Sequence, residues 1–315
     1  MRALARLLAA LMLLVILFVG CELQPTDSQQ SGGPPSEPAA GPADPSQVPP
    51  IHIASFNIQV FGTSKLRKPP VMNILAEVAR RFDVMAIQEV RAKDDRVVPT
   101  FVELINATGR KYDFIIGPRL GRTSSKEQYA FVFDTARIAV DRASMYTVPD
   151  PQDHFQREPT VVRFRVRGPA EGQAFTFTLA DIHTEPDEAR KELDALADVF
   201  VGIQNSGSGE DDVILLGDLN ADEYHLGRLG QLPGIQHAVT GVTTNTRRTH
   251  MYDNIIFDRR PTVEYTGRWG VLDLRNEYQL PLDQALQVSD HFPVWAEFSA
   301  YEGGAALAGR ARAAR

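Results

Sequence analysis

The sequence has a single cysteine, Cys21, in 315 residues, so it cannot form an intramolecular disulfide. It also lacks an excess of basic residues: 33 Lys and Arg against 40 Asp and Glu give a net charge of −7. That balance argues against a protein that holds nucleic acid through a broad basic surface. A Walker loop, a dinucleotide-binding glycine pattern, a His-Glu-x-x-His zinc motif and a Gly-x-Ser-x-Gly elbow are all absent, which disfavours the enzyme classes that depend on them.

The apolar run over residues 7–20 is short of the roughly 20 residues that cross a bilayer. Arg2 and Arg6 precede it, which is typical of a secretory signal. The ending Gly20-Cys21 resembles a bacterial lipobox, so we expect residues 1–20 to be a lipoprotein signal peptide and Cys21 to be the lipidation site. An ordinary signal peptide or anchor with an incidental cysteine is the alternative.

Composition divides the rest of the chain into three parts. Residues 21–50 are rich in Pro, Ser, Gly and Ala, and are predicted to be a lipid-anchored linker. Residues 51–301 are long enough to build one core without disulfides. Residues 302–315 are expected to form a flexible tail. These features predict an exported, lipid-anchored protein at the cell envelope, on its periplasmic face or at the surface, and nothing in the sequence implies a partner protein, so we expect a monomer.

Hydrophobic patterns predict a mixed α/β domain. Three segments have apolar residues at helical spacing: 70–81, 97–108 and 187–204. Strand-like runs recur at 51–58, 84–88, 114–116, 129–133, 161–166, 175–182, 213–216, 255–257 and 292–298. Because the helices cluster early and before residue 213, a regular βαβ repeat is not expected.

Several of these strand-like runs end in polar motifs, at positions where loops on a rigid sheet usually carry function. Each motif alone is weak, because an Asn or Asp at the end of a strand is more often a turn residue. The motifs are Phe56-Asn57-Ile58, Ile87-Gln88-Glu89-Val90-Arg91, Asp181-Ile182-His183-Thr184, Leu216-Gly217-Asp218-Leu219-Asn220, Met251-Tyr252-Asp253-Asn254-Ile255 and Ser289-Asp290-His291-Phe292-Pro293.

In this order, the motifs resemble those of the endonuclease/exonuclease/phosphatase superfamily over nearly the whole of residues 51–298. Three further stretches resemble its secreted deoxyribonuclease I branch: 56–62, 120–129 and 155–162. The resemblance implies a four-layer α/β/β/α sandwich of two packed mixed sheets, with the active site at one edge. It also implies an endonuclease that nicks DNA, most often as a duplex.

Hydrolysis of a phosphodiester builds negative charge, so the site needs a hard cation and groups that manage protons. Carboxylate and amide oxygens are the ligands that Mg²⁺ prefers. The resemblance implies that Glu89 is the main ligand of Mg²⁺ or Mn²⁺, with Asn57 and Asp290 beside it. It implies that Asp218 and Asn220 orient the attacking water and contact the phosphate, and that Asp218 also reaches a metal.

The resemblance assigns the two imidazoles separate roles. His291 resembles a general base that Asp253 holds in one tautomer. His183, with Glu127 as its partner, resembles the group that serves the leaving oxygen. The other five histidines have no such motif around them and are expected to be structural or exposed.

Arg91 and Arg157 resemble the residues through which the family contacts the phosphate or the minor groove, a task that suits guanidinium groups. Arg91 follows Glu89 by two residues, so both side chains should project from the same side of a strand. Two positions depart from the family: Gln59 stands where its DNA enzymes often have arginine, and Ser125 where a tyrosine commonly packs against the sugar.

Calcium is a further expected cofactor of the branch. Asp153 and Asp150 in one loop, and Thr244 or Thr246 in another, are the candidate ligands.

Two other functions remain open. One is a phosphatase or phospholipase C-type enzyme of the same superfamily that acts on inositol phosphates or sphingomyelin. The aromatic residues and the Cys-Asp-Arg run of inositol phosphatases are missing, and Trp269 lies in the one short segment that could serve as an apolar hairpin. The other is a non-catalytic binding lipoprotein, which predicts broken ligand motifs.

Overall fold

The computed structural model of the chain describes residues 48–304, and within them each structural element has well-defined bounds. The strands are β1 Ile51–Phe61, β2 Val84–Val90, β3 Tyr112–Ile116, β4 Gln128–Asp134, β5 Ile138–Thr147, β6 Thr160–Val166, β7 Thr176–His183, β8 Val213–Asp218, β9 Ile235–His237, β10 Asp253–Asp258, β11 Tyr265–Val271 and β12 Val294–Phe298. The helices are α1 Thr63–Leu66, α2 Pro69–Ala79, α3 Val97–Asn106, α4 Ala189–Gln204, α5 Gly227–Gly230, α6 Leu274–Glu277 and α7 Leu282–Val288.

The strands form two six-stranded mixed sheets. The first sheet has the order β11-β12-β1-β2-β4-β3, and the second has the order β5-β6-β7-β8-β10-β9. Each sheet has one parallel pair at its centre, β1 with β2 and β7 with β8, and the remaining pairs are antiparallel. The two central pairs contact each other across the interface between the sheets, so their carboxyl ends can meet at one edge of the sandwich.

Three apolar layers hold the molecule together. Phe164, Phe177 and Phe298 belong to the layer between the two sheets. A second layer packs α2 and α3 on the outer face of the first sheet, and a third packs α4 on the outer face of the second. Burial of apolar surface is the main favourable contribution to such a fold. The order helices, sheet, sheet, helices confirms the predicted four-layer sandwich.

The predicted segments can be compared with the helices and strands of the structure. All nine strand-like runs and the three helical segments coincide with elements of the structure. The α4 helix begins at Ala189, two residues later than predicted. Strand β5 escaped the prediction because it is an edge strand in which only Ile138 is buried, so its sequence lacks a continuous buried face. Strand β9 has only three residues.

The folded part reaches a few residues beyond the predicted domain bounds at both ends. The Val48 amide donates a hydrogen bond to the Tyr301 hydroxyl at 3.2 Å, and the Glu302 amide donates to the carbonyl of Gln173 at 3.0 Å. The folded chain therefore includes residues 48–50 and 302–304, which the sequence assigned to the linker and the tail. The predicted signal peptide, Cys21, most of the linker and residues 305–315 lie outside the described part.

None of the helices within residues 48–304 is both long enough and apolar enough to span a bilayer.

Candidate active site

Three predicted catalytic residues lie side by side in the second sheet. His183 ends β7 and is paired in register with Asp218, the last residue of the parallel strand β8. Asp253 begins the antiparallel strand β10 and is paired with Asp218 from the other side. The β-sheet register thus places His183, Asp218 and Asp253 in one row at the edge of the sheet, and all three side chains are buried.

The first sheet contributes Asn57 and Glu89 at the same edge. The Asn57 amide nitrogen Nδ2 donates to Asp218 Oδ2 at 2.9 Å and lies 3.3 Å from Glu89 Oε1, so one side chain connects the two sheets. The pairing of β1 with β2 is interrupted between Asn57 and Phe61. Glu89 has a backbone φ of +61°, which non-glycine residues rarely adopt and which often marks functional positions.

His291 forms the first imidazole–carboxylate pair. Its Nδ1 lies 2.9 Å from Asp253 Oδ2, which also accepts a hydrogen bond from the Thr244 hydroxyl at 2.6 Å. Its Nε2 lies 3.4 Å from Asp218 Oδ2. Because Asp253 binds Nδ1, the Nε2 atom is left to face the reaction site.

His183 forms the second pair. Its Nδ1 lies 3.3 Å from Glu127 Oε2, and its Nε2 lies 3.5 Å from the same Asp218 Oδ2 that faces His291. Glu127 is fully buried and pairs through Oε1 with Arg157 Nε at 2.8 Å. The His183 amide donates to the Tyr129 hydroxyl at 2.9 Å. Both predicted imidazole–carboxylate pairs are therefore assembled around one carboxylate oxygen.

The charges of this cluster shift its pKa values strongly. Burial opposes the charged form of His291, but Asp253 and Asp218 outweigh it and raise the pKa of His291 to about 10. Burial likewise opposes protonation of His183, and Asp218 and Glu127 nevertheless raise its pKa. Burial would raise the pKa of Asp218, but His291 and His183 lower it. In the absence of a cation, both imidazoles thus favour the protonated form and Asp218 favours the ionised form.

The predicted metal ligands fit a hard cation. Asn57 Nδ2 lies 3.3 Å from Glu89 Oε1 and 2.9 Å from Asp218 Oδ2, and the Asp290 carboxylate lies near those of Glu89 and Asp218. Burial raises the pKa of Asp290, helped by the nearby charge of Glu89 and opposed by His291. Asp290 Oδ1 has no hydrogen-bond partner among residues 48–304. Three carboxylates, one of them with a free oxygen, are the kind of donor set that a hard divalent cation takes.

Asp218, Asp253 and His291 also offer ligand atoms within 4.8 Å of one another. Asp253 Oδ2 already accepts hydrogen bonds from His291 and Thr244, so this group functions first as a hydrogen-bond network.

Two polar residues of the site were not predicted as part of it. Gln59, noted only as a departure from the family, donates through Nε2 to Asp290 Oδ2 at 2.8 Å. Lys65 is buried near the predicted metal ligands Glu89 and Asp290. It donates to the carbonyls of Ile58 and Val288, both at 2.7 Å. Burial lowers the pKa of Lys65 to about 8, although Asp290 and Glu89 act in the opposite direction. No local sequence signal identifies Lys65, because its partner Val288 is 223 residues away.

The two predicted substrate-binding arginines occupy different environments. Arg91 is partly exposed, and its Nε lies 3.2 Å from Glu89 Oε2, so the two side chains do share one side as expected. Arg157 is only 4% exposed and is engaged by Glu127, Glu185 and the His183 carbonyl. Only its Nη2 lacks a partner within the described residues. This geometry favours a role for Arg157 in positioning Glu127 over the predicted contact with DNA.

Asn220 follows β8 with a backbone φ of +46°. Its side chain donates to the Thr184 carbonyl at 2.9 Å, and its amide donates to Asp218 Oδ1 at 3.1 Å, so it helps to fix the Asp218 carboxylate. A groove of about 940 Å³ opens beside Asn220 and Tyr252. His250 stacks on Tyr252 in this groove with ring centroids 5.0 Å apart.

The residues proposed for calcium are already bonded to protein groups. Asp153 Oδ1 pairs with Arg122 at 2.9 Å, and Asp150 Oδ2 accepts from the Phe155 amide at 2.7 Å. The Thr244 and Thr246 hydroxyls donate to Asp253 and to the Ser289 carbonyl. Each of these side chains thus has a partner within the protein, and calcium binding at the two loops stays a prediction.

Comparison with known proteins agrees with this arrangement. The model of the "Endonuclease/Exonuclease/phosphatase family" matches residues 54–291. The chain is 32% identical over 268 residues to deoxyribonuclease-1-like 2 of Mus musculus, covering 80% of this chain and 92% of the relative. It is 31% identical over 263 residues to deoxyribonuclease gamma of Rattus norvegicus, covering 78% of this chain and 83% of the relative.

Solved structures of low identity share the fold. The human Nocturnin catalytic domain, with bound sulfate, superimposes with a TM-score of 0.54 at 18% identity and covers 80% of this chain and 94% of its own. A mannosyl-6-phosphatase of Bacteroides thetaiotaomicron gives a TM-score of 0.53 at 15% identity and covers 78% and 98%. At this identity the likeness shows the fold alone.

Proposed function

The chain belongs to the endonuclease/exonuclease/phosphatase family, in its deoxyribonuclease I-like branch, and from that premise we propose that it is a divalent-metal-dependent endonuclease that nicks DNA. One observation carries the proposal. His183 Nε2 and His291 Nε2 both face Asp218 Oδ2, at 3.5 and 3.4 Å, and each imidazole has its own carboxylate partner. A pair of imidazoles around one buried carboxylate suits the exchange of protons on two sides of a phosphodiester.

The metal would be held by Glu89, Asp290 and Asp218, with Asn57 beside them. When bound, a divalent cation supplies positive charge that offsets the phosphate and the surrounding carboxylates. With those carboxylates offset, the pKa of His291 would fall from about 10 toward neutrality, so that Nε2 can accept a proton.

In the proposed reaction, Asp218 and Asn220 orient the attacking water and His291 Nε2 removes its proton. Asp253 keeps His291 in the required tautomer and stabilises the imidazolium that forms. Protonated His183 then donates from Nε2 to the leaving oxygen, and Glu127 stabilises its charge before and during the transfer. The phosphorus–oxygen bond to the leaving group breaks as the bond to the water oxygen forms.

DNA, most often as a duplex, is the substrate we propose, because relatives that align with about four fifths of the chain are named deoxyribonucleases. Arg91, partly exposed beside Glu89, is the candidate phosphate contact. The net charge of −7 is compatible with this function, since an enzyme that releases its product can use a few local cations. Gln59 supports Asp290 where the family often has arginine, so we expect weaker DNA binding than that arginine would provide.

A substrate panel tests this proposal. Full-length protein, purified in mild detergent, would be assayed with plasmid DNA, single-stranded DNA, RNA, inositol phosphates and sphingomyelin vesicles, each with Mg²⁺, Mn²⁺ or EDTA. The proposal predicts metal-dependent turnover of DNA that exceeds turnover of the phospholipid and the phosphomonoesters. Faster metal-dependent hydrolysis of inositol phosphates or sphingomyelin would replace it with the phosphatase or phospholipase function. No turnover of any substrate would favour the non-catalytic binding protein.

We also propose that Cys21 is lipidated and anchors the exported enzyme at the cell envelope. Support comes from the sequence alone, in the basic start, the apolar run and the single cysteine. Labelling of growing cells with radioactive palmitate would give a labelled band for the wild type and none for Cys21→Ser. Equal labelling of both proteins, or labelling of neither, would contradict the anchor.

A further inference from the structure

A cluster of carboxylates lies at the end of the sandwich opposite the active site. Asp212 directly precedes β8, whose last residue is Asp218. Six residues of extended strand correspond to about 20 Å, so Asp212 is far from the catalytic carboxylate. The cluster consists of Glu210, Asp211, Asp212, Glu264 and Glu302.

Three of these residues come from distant parts of the chain and converge. Asp212, Glu264 and Glu302 each offer an oxygen within 4.8 Å of the oxygens of the other two. Glu264 precedes β11 of the first sheet, whereas Asp212 precedes β8 of the second, so the cluster joins the two sheets. Glu302 follows β12 of the first sheet.

Backbone hydrogen bonds hold the three residues in place. The Thr178 amide donates to the Asp212 carbonyl at 2.8 Å. The Gly303 amide donates to Glu264 Oε1 at 2.5 Å, and the Thr176 amide donates to Glu302 Oε2 at 3.2 Å. One oxygen of Glu264 and one of Glu302 are thus oriented by the main chain.

Buried oxygens in this cluster lack hydrogen-bond partners. Asp212 and Glu264 are each 1% exposed, and Thr262 beside Asp212 is 2% exposed. Asp212 Oδ1, Glu264 Oε2 and the Thr262 hydroxyl have no partner of acceptable geometry within residues 48–304. A buried polar group without a partner is costly, and a buried ionised carboxylate more so.

The charges around Asp212 increase the free-energy cost of burying its ionised carboxylate. The charged groups that most affect its carboxylate are Glu264, Glu302 and Glu210, all acidic. A cation or a proton is therefore needed where the three side chains meet, and carboxylate and hydroxyl oxygens are the donors that hard cations take.

We propose that Asp212, Glu264 and Glu302, with the Thr262 hydroxyl, form a second cation site that takes a hard divalent ion of the calcium class. Calcium accepts six to eight oxygen ligands in flexible geometry and so does not need these oxygens to form an octahedron, as magnesium does. The ion would join the start of β8 in the second sheet to the segments that flank β11 and β12 in the first. Its role would be structural, because it lies about 20 Å from Asp218.

A proton shared between the carboxylates is the competing explanation. Burial and the neighbouring carboxylates raise the pKa of Asp212 to about 9, and burial raises that of Glu264 to about 7. A shared proton predicts that added calcium changes nothing at this end of the molecule.

Calcium binding to the full-length protein in mild detergent, stripped of metal with EDTA and exchanged into metal-free buffer, distinguishes the two explanations. Bound calcium would be counted by equilibrium dialysis, and thermal unfolding followed by tryptophan fluorescence. Glu302→Gln is the main variant because Glu302 is partly exposed and its loss is tolerable for folding; Glu264→Gln is the second. Glu171→Gln, an exposed glutamate before β7, is the matched control, and Glu89→Gln removes a ligand at the active site instead.

We expect Glu302→Gln to bind one calcium fewer per chain than the wild type and Glu171→Gln. At a hundredfold excess over the dissociation constant, calcium should raise the Tm of the wild type by roughly 5–10 °C. Glu302→Gln should lose that rise, whereas Glu89→Gln should keep it. Wild-type calcium counts and an unchanged Tm rise in Glu302→Gln, or no rise in any variant, would overturn the site in favour of the proton. Plasmid nicking at saturating Mg²⁺ should be the same for Glu302→Gln and the wild type. The calcium site is therefore tested independently of the nuclease function.

Discussion

His291 Nε2 lies 3.4 Å from Asp218 Oδ2, although the two residues are 73 positions apart. The same oxygen lies 3.5 Å from His183 Nε2 and accepts a hydrogen bond from Asn57 at 2.9 Å. The protonation states of the two imidazoles are therefore coupled through one buried carboxylate, and a change at either imidazole alters the electrostatic environment of the other.

Replacing Asp253 tests whether His291 needs its carboxylate partner. Asp253→Asn should lower kcat by about 10²–10⁴-fold, because an amide stabilises the wrong tautomer and cannot balance the imidazolium charge. Asp258→Asn is the matched control, since Asp258 is a buried carboxylate at the other end of the same strand. Both variants would be compared in steady-state nicking and by circular dichroism. Equal activity of Asp253→Asn and the control would mean that Asp253 does not position His291.

Arg157 should matter for stability through Glu127. Arg157→Ala removes the guanidinium partner of the fully buried Glu127 and leaves it only His183, and breaking a buried pair of this kind costs up to about 3–5 kcal/mol of the free energy of unfolding. Arg122→Ala, which removes a more exposed arginine paired with Asp153, should cost less than about 1 kcal/mol. Urea unfolding measures both.

Adding Glu127→Gln to Arg157→Ala should recover part of the lost stability, because it removes a buried charge that has lost its guanidinium partner. If Arg157→Ala unfolds like the wild type but loses DNA affinity with a shallower dependence on salt, Arg157 is a phosphate contact instead.

The pKa of His291 predicts how stability depends on pH in EDTA. Its folded-state pKa is raised to about 10 from an ordinary 6.5, after Asp253 and Asp218 outweigh the opposing effect of burial. The unfolded state therefore loses its proton first as pH rises. The contribution of His291 is complete below about 6.5, declines from there and is lost through about 10.

Urea unfolding between pH 6 and pH 10 tests this, with His291→Gln as the comparison that removes the titrating group. The advantage of the wild type over His291→Gln should shrink steadily as pH rises. A constant difference across the range would show that the charged His291 is not stabilised in the folded state.

Several features of the site could be predicted from the sequence because they follow local rules. Asn57, His183, Asp218 and Asp253 each stand at or near one end of an apolar strand, and the order of their motifs matched a known family. The motifs do not show which strand ends lie next to each other in space, and the structure does. The sequence suggests Thr244 only as a calcium ligand, and the structure shows in addition that its hydroxyl donates to Asp253.

Contacts over long separations explain the rest. Lys65 and Val288 meet because they flank the neighbouring strands β1 and β12 of the first sheet, and Asp212 and Glu264 meet at the end of the sandwich. No pattern within a short window of sequence reports such pairs. Burial also changes the interpretation of a residue: the guanidinium of Arg157 matched a surface contact in sequence, but the fold surrounds it with Glu127, Glu185 and the His183 carbonyl.

Nicking of supercoiled plasmid by the full-length protein tests the central claim most directly. With Mg²⁺ or Mn²⁺, we predict conversion to nicked circles before linear DNA appears, complete inhibition by EDTA, and no conversion by the folded variant His291→Ala. Plasmid that stays supercoiled with every metal, or nicking that survives in His291→Ala, would contradict the account.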